Sequence, residues 1–234
     1  MNPPIILAIE TSGKIASLAL LEAQPADCQL LQQVALAADQ RTAQALVPAM
    51  HQLLKSHNMD ASQLGAIAVV TGPGSFTGLR IGVTAAKTLA YASETTLAGV
   101  NTLDTLAAQA PAQAARVWGV VDAQRGDLFA ACYTTDMRQT LGESDPTQLL
   151  AAERWLEQLQ PGDVVIGPAA ARYAVRLPEG AEMAPEADCT PHAATVGQLG
   201  WQIINRQGGV DPFALVPHYH RLSAAEEKAL AAKR

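Results

Sequence analysis

A strand that ends in an acid and then turns back on itself occurs twice in this chain, about half its length apart. Residues 5–10 are an apolar run closed by Glu10; the polar turn Thr11 to Lys14 follows, and residues 16–21 resume as a second strand. Residues 118–122 are again apolar and end in Asp122, the turn Ala123 to Asp127 follows, and residues 128–133 read as the returning strand. Laid over one another, Glu10 matches Asp122 and Ala19 matches Ala131. The repeat admits two readings, an internal duplication that makes two similar lobes or the general likeness of any two β-hairpins. Strands mixed with helices, each half opening on such a hairpin, predict a two-lobed α/β protein divided at 1–110 and 111–234.

Other segments fill in this frame. Residues 30–36 read as a third strand completing a meander. Ala45, Leu46, Ala49, Met50, Leu53 and Leu54 recur at helical spacing over 42–57, with Pro48 inside the pattern predicting a kink or a late helix start. Strands are predicted at 67–70, 97–100 and 163–166, and helices at 77–92, 102–109, 146–159, 169–176 and 195–206.

Composition excludes several functions. Hydrophobic residues are 49% and charged ones 16%, so the chain carries ample material for a core. Lys plus Arg is 16 against 22 for Asp plus Glu, and no window is strongly basic, so the chain does not grip nucleic acid unaided. An aromatic content of 4% argues against a stacking platform for single strands. The apolar runs 66–70 and 118–121 are too short to cross a bilayer, and residues 1–4 lack the basic start of a signal peptide, which predicts a cytoplasmic protein. Cys28, Cys132 and Cys189 lie far apart, as reduced thiols do. His218 and His220 are two apart, which predicts one face of a strand; no further ligand follows closely, so they read as surface histidines and not as a metal site.

The segment Gly72-Pro73-Gly74-Ser75-Phe76-Thr77-Gly78 follows a strand and opens a helix, a place where backbone N–H groups can meet an anion. It lacks the Gly-Lys-Ser/Thr ending of a phosphate-binding loop and the GxGxxG spacing of a dinucleotide site. Gly78, Gly82 and Ala86 leave a bare stripe along the helix, which either packs closely on a neighbouring sheet or helix or meets another subunit.

Four segments in order, Ile9-Glu10-Thr11-Ser12, Gly72 through Gly82, Val121 through Asp127, and Pro217-His218-Tyr219-His220-Arg221, resemble the TsaB family of the bacterial tRNA threonylcarbamoyladenosine machinery. The resemblance spans nearly the whole chain, is strongest over 5–130 and fades between 135 and 210. It implies the actin/hexokinase/Hsp70-like (ASKHA) fold, with duplicated mixed sheets and flanking helices. It also implies a noncatalytic subunit that pairs with a TsaD-like catalytic subunit and a TsaE-like ATPase, forms a homodimer when alone, and meets tRNA mainly through the complex. The partner contact is implied on the outer faces of the two N-terminal helices, at Ala45, Ala49 and Met50 and at Gly78, Leu79, Gly82, Val83, Ala86 and Ala90.

The related catalytic proteins carry a metal-binding His-x-x-x-His where this chain has Thr102 and Leu106, neither a competent ligand, which predicts no metal and no catalytic cofactor. Their adenosine loop runs through paired glycines; here Gly167 is followed by Pro168, which has no backbone donor. Glu10, Thr11, Ser12, Asp122 and Gly167 are therefore predicted to mark a vestigial nucleotide site, although Glu10 and Asp122 can equally brace their own turns. An active ATP-dependent kinase of this fold and a metallopeptidase are the alternatives; the first has an impaired adenosine loop and the second lacks ligands.

Overall fold

A computed structural model describes residues 3–24, 27–37 and 39–221. Two five-stranded mixed sheets carry the chain. The first orders its strands β3-β2-β1-β4-β5, from β1 (Ile5–Glu10), β2 (Ser17–Ala23), β3 (Cys28–Ala35), β4 (Leu64–Gly72) and β5 (Thr96–Asn101). The second orders β10-β9-β6-β7-β8, from β6 (Arg116–Gln124), β7 (Asp127–Thr134), β8 (Gln148–Ala151), β9 (Asp163–Ile166) and β10 (Glu182–Met183). In each, an antiparallel meander is followed by two parallel strands, so the strand order of the second sheet repeats that of the first.

The helices repeat too. α1 (Thr42–Ser56) and α2 (Phe76–Ser93) precede and follow β4, as α5 (Ala152–Leu156) and α6 (Ala170–Tyr173) precede and follow β9. α3 (Thr102–Gln109) leaves the last strand of the first sheet, and α7 (Ala193–Gln207) follows the last strand of the second. A short α4 (Thr135–Gln139) is an addition in the second half. α1 starts at Thr42 and runs through the exposed Pro48, so the predicted late start is not seen.

Alternation along the strands sorts side chains to two sides. Leu7, Ile9, Leu18, Leu20, Ile67 and Val69 face α1 and α2. Ile6, Ala8, Ala19, Leu21, Ala66, Ala68 and Ala98 face the other way, in a core continuous with α3, α7 and the second sheet. Alanine dominates that face because α7 lies close on it: a Cβ at Gly197 would sit 3.1 Å from Ala8 Cβ, and one at Gly200 would collide with Ala68. The predicted division at 110 and 111 thus describes the chain order but not the packing, since α7 lies on the N-terminal sheet. The connection between the lobes is clamped by Arg138, whose guanidinium donates to the carbonyls of Ala110 (2.8 Å), Pro111 (3.1 Å) and Ala114 (3.2 Å).

The predicted helix at 146–159 is in fact β8 followed by the single-turn α5. Leu149 and Leu150 pair with Phe129 and Leu128 of β7, and this edge pairing overrides a weak helical pattern.

Candidate functional site

The first hairpin turn packs beneath the start of α2. Glu10 Oε1 accepts from the Ser12 amide at 2.6 Å and from the Ser12 hydroxyl, so the acid braces its own turn. Ser12 O in turn accepts from the Ser75 amide at 2.8 Å, and Ser75 Oγ caps α2 by accepting from the Gly78 amide at 3.2 Å. Thr11 fills the bare stripe of the helix: a Cβ at Gly78 would strike Thr11 O, and one at Gly82 would strike Thr11 Oγ1. Leu79, Val83, Ala86 and Ala90 are buried on the same side. This corrects the expected partner contact. All six α2 residues face their own lobe, Ala45 and Met50 of α1 are also buried, and Ala49 is half-buried. Of the two readings of the stripe, close packing on the neighbouring sheet is the one observed.

The second turn repeats the brace with different surroundings. Asp122 Oδ1 accepts from the Gln124 amide at 2.8 Å, two residues on, just as Glu10 does from Ser12. Its Oδ2 lies 2.9 Å from Arg172 Nη2 of α6. Glu10 is fully buried, and desolvation pushes its carboxyl up to about 7. Its Oε2 and Thr11 Oγ1 have no hydrogen-bond partner among the described residues.

Between the two turns lies a cleft of about 660 Å³. Of the residues expected to mark a nucleotide site, Ser12 and Asp122 line it, whereas Glu10 and Thr11 are sealed behind the turn. Gly167 stands behind the opposite wall. Its φ is +130° and a Cβ there would collide with Val120 O, so glycine is required by close approach, while Pro168 and Ala169 form the wall itself.

The two positions of the absent histidine pair are interior. Thr102 and Leu106 are buried, and Leu106 packs against Gly167. The start of α3 serves instead as a polar junction. Asn101 Oδ1 caps the helix at the Leu103 amide (2.7 Å), and its Nδ2 donates to Asp145 Oδ1 (3.0 Å) and Thr147 Oγ1 (3.1 Å). Asp104 accepts from Tyr133 Oη at 2.8 Å and the Gly142 amide at 2.9 Å, and burial raises it to about 6. No group of three or more His, Cys, Asp or Glu that could hold a metal occurs among the described residues.

The fourth wall is one that sequence reasoning missed. Residues 208–221 leave α7 and run as a strap along the N-terminal lobe to the cleft. The Val210 amide donates to Leu97 O and the His218 amide to Thr71 O, both at 2.8 Å, and Lys87 Nζ holds the Leu215 carbonyl at 2.8 Å. The Arg80 guanidinium lies 4.0 Å from the Phe76 ring centre and donates to Tyr219 Oη at 2.9 Å. At the far end Arg221 reaches Ala123 O at 2.9 Å and Asp127 Oδ2 at 3.2 Å on the second lobe. His218 and His220 lie on this strap and not on a strand, 4.0 Å and 3.5 Å from Asp145 Oδ2. The Pro-His-Tyr-His-Arg cluster at 217–221 was the signal available in the sequence; nothing there pointed to Asp145 or Arg172.

Two duplicated mixed sheets, crossed helices and an interlobe cleft define a two-lobed ASKHA-like protein. YeaZ from Pseudomonas aeruginosa superposes with a TM-score of 0.72 at 25% identity, over 92% of this chain and 99% of that one. The family described as tRNA N6-adenosine threonylcarbamoyltransferase (TsaD) matches residues 34–205. A tRNA threonylcarbamoyladenosine biosynthesis protein TsaB from Bacillus subtilis is 31% identical over 230 residues, 95% of this chain and 96% of that one. Its Escherichia coli namesake is 35% identical over 133 residues, about half of each chain. The chain belongs to the TsaB family, within the wider family that includes TsaD, and acts in tRNA threonylcarbamoyladenosine biosynthesis. Among the described residues no helix is long and apolar enough to cross a membrane.

Proposed function

We propose that this chain is a noncatalytic partner subunit. It pairs in the cytoplasm with a TsaD-like catalytic subunit and works with a TsaE-like ATPase. The assembly transfers a threonylcarbamoyl group to the adenosine beside the anticodon of tRNAs that read codons beginning with adenine. The state of the two turn acids carries this reading: Glu10 is sealed from the cleft, and Asp122 is bonded to Arg172. A kinase of this fold would need a carboxylate presented freely to the cleft, and a metallopeptidase would need imidazoles where Thr102 and Leu106 stand.

The docking face is the outer side of α1 and α2, which also serves a homodimer of the isolated chain. Val47 and Tyr91 are 61% and 65% exposed there, with Thr84 and Thr88 on the same side of α2 as Tyr91. Incubation with ATP and Mg²⁺ tests the reading: the chain alone releases no phosphate, and modified tRNA forms only when the TsaD-like and TsaE-like subunits are added. Phosphate release by the chain alone, lost on Asp122→Asn, would overturn it. Tyr91→Glu should weaken capture of the TsaD-like subunit at least tenfold with an unchanged melting temperature.

A further inference from the structure

We infer that the end of the strap is an interlobe tie: residues 217–221 hold the two lobes at one separation, so that the cleft neither opens nor closes by a hinge while they are in place. The tie needs neither a partner subunit nor a ligand.

On the N-terminal lobe the strap is fixed up to the lip of the cleft. The His218 amide donates to Thr71 O at 2.8 Å, and a Cβ at Gly72 would lie 2.9 Å from His218 O, so the strap runs in close contact with the end of β4. The next residue, Tyr219, accepts from Arg80 of α2 at 2.9 Å and packs on Phe76, with ring centres 4.7 Å apart. On the second lobe Arg221 donates to Ala123 O (2.9 Å), Gln124 O (3.4 Å) and Asp127 Oδ2 (3.2 Å). The His220 ring lies beside that of Phe129 on β7, centres 5.9 Å apart. Three residue steps, from His218 to Arg221, thus join anchors on different lobes, and three steps of extended chain reach at most about 10–11 Å. So short a tether lets the lobes part only a little before the Thr71 bond or the Arg221 bonds must break. Closure is opposed as well, because His218, Tyr219, His220 and Arg221 themselves line the cleft.

A second tie meets the first at one carboxylate. Asp145, in the loop before β8, takes Asn101 Nδ2 from the end of β5 on Oδ1 (3.0 Å), while its Oδ2 lies 4.0 Å from His218 Nδ1 and 3.5 Å from His220 Nε2. Behind the cleft, the Arg138 clamp and the core shared with α7 restrain the connection between the lobes. Hinge closure needs a few residues free to absorb large changes of φ and ψ. Here the connection is clamped and the far side of the cleft is bridged.

The test is the distance between spin labels at Ile15→Cys, on the first hairpin turn, and Val175→Cys, just after α6, measured by double electron–electron resonance on the full chain with Cys132→Ala as background. Both label sites are exposed and lie outside the cleft lining, and Cys28 and Cys189 are buried and stay unlabelled in the folded protein. The parent should give a single narrow distribution. Arg221→Met, which frees the strap from the second lobe, should at least double its width, as should Tyr219→Ala, which frees it from Arg80. His57→Ala breaks a side-chain hydrogen bond to Gln32 within the first lobe, away from the strap, and should leave the width unchanged and the mean within about 2 Å. Melting temperatures establish that the variants fold, and either strap variant suffices if the other does not. A broad or two-peaked distribution in the parent overturns the inference. So does an unchanged width in a folded Arg221→Met or Tyr219→Ala variant, or an equal broadening in His57→Ala.

Discussion

Glu10 and Asp122 hold equivalent positions on the two hairpins and make the same brace two residues on, yet only one is in contact with solvent. Burial makes Glu10 a proton-binding group of the folded state. Its carboxyl titrates near 7 when folded and near 4.5 when unfolded. Between these values the folded state binds more protons than the unfolded one, so stability is fully present below pH 4.5 and is lost as pH rises toward 7. At about 1.36 kcal/mol per pH unit the Glu10 contribution to that loss is about 3 kcal/mol. Asp104, raised from 3.8 to about 6, acts with the same sign over a lower range. Urea unfolding at pH 5 and pH 8 should therefore show lower stability at pH 8, and Glu10→Gln should remove the Glu10 part and unfold later than the parent at pH 8. An unchanged pH dependence in Glu10→Gln would contradict the assignment. The two acids were legible in the sequence because each closes an apolar run. Their different fates were not, since Glu10 is sealed by a turn that packs beneath α2 and Asp122 stays at the cleft bonded to Arg172, residues far away in the chain.

For elements, the glycine stripe of α2 shows how spacing can be read correctly and placed on the wrong side. Small residues four apart specify close approach but not which neighbour approaches. The neighbour is Thr11 on the adjoining turn, so Gly82→Arg should destabilise the fold and not merely weaken a partner contact. Overpacking alone costs about 1–3 kcal/mol, and a buried unpaired charge adds to it. The expected result is a fall in melting temperature of several degrees or insoluble protein; a normally folded Gly82→Arg variant would show that the stripe faces outward. β8 was hidden for another reason, its four residues being too few to show a period of two. Between elements, Arg138→Met should remove three hydrogen bonds from the interlobe connection and cost about 2–4 kcal/mol in denaturant unfolding, with the m-value unchanged.

The whole molecule has two lobes by sheet, but the larger of its two buried clusters runs across both. The α/β class and the doubled hairpin were readable from residue patterns, but the crossing of α7 onto the first sheet was not, because an amphipathic helix shows a buried face without naming the surface that buries it. One consequence is measurable. With α3, α7 and both sheets in one continuous core, heating should give a single transition in which calorimetric and van't Hoff enthalpies agree. Two resolved transitions would mean that the lobes unfold independently.

That crossing also sets an order of events on the ribosome. β1, β2, β4 and β5 are complete once residue 101 has emerged, but the alanine-lined face of their sheet lacks its main cover until α7, which ends at Gln207, has been made. At about 5–20 residues per second the nascent sheet waits roughly 5–20 s with that face open. During translation, therefore, the first half of the chain is the part most in need of a chaperone, and a stop codon placed before α7 should yield an aggregating fragment and not a small folded domain.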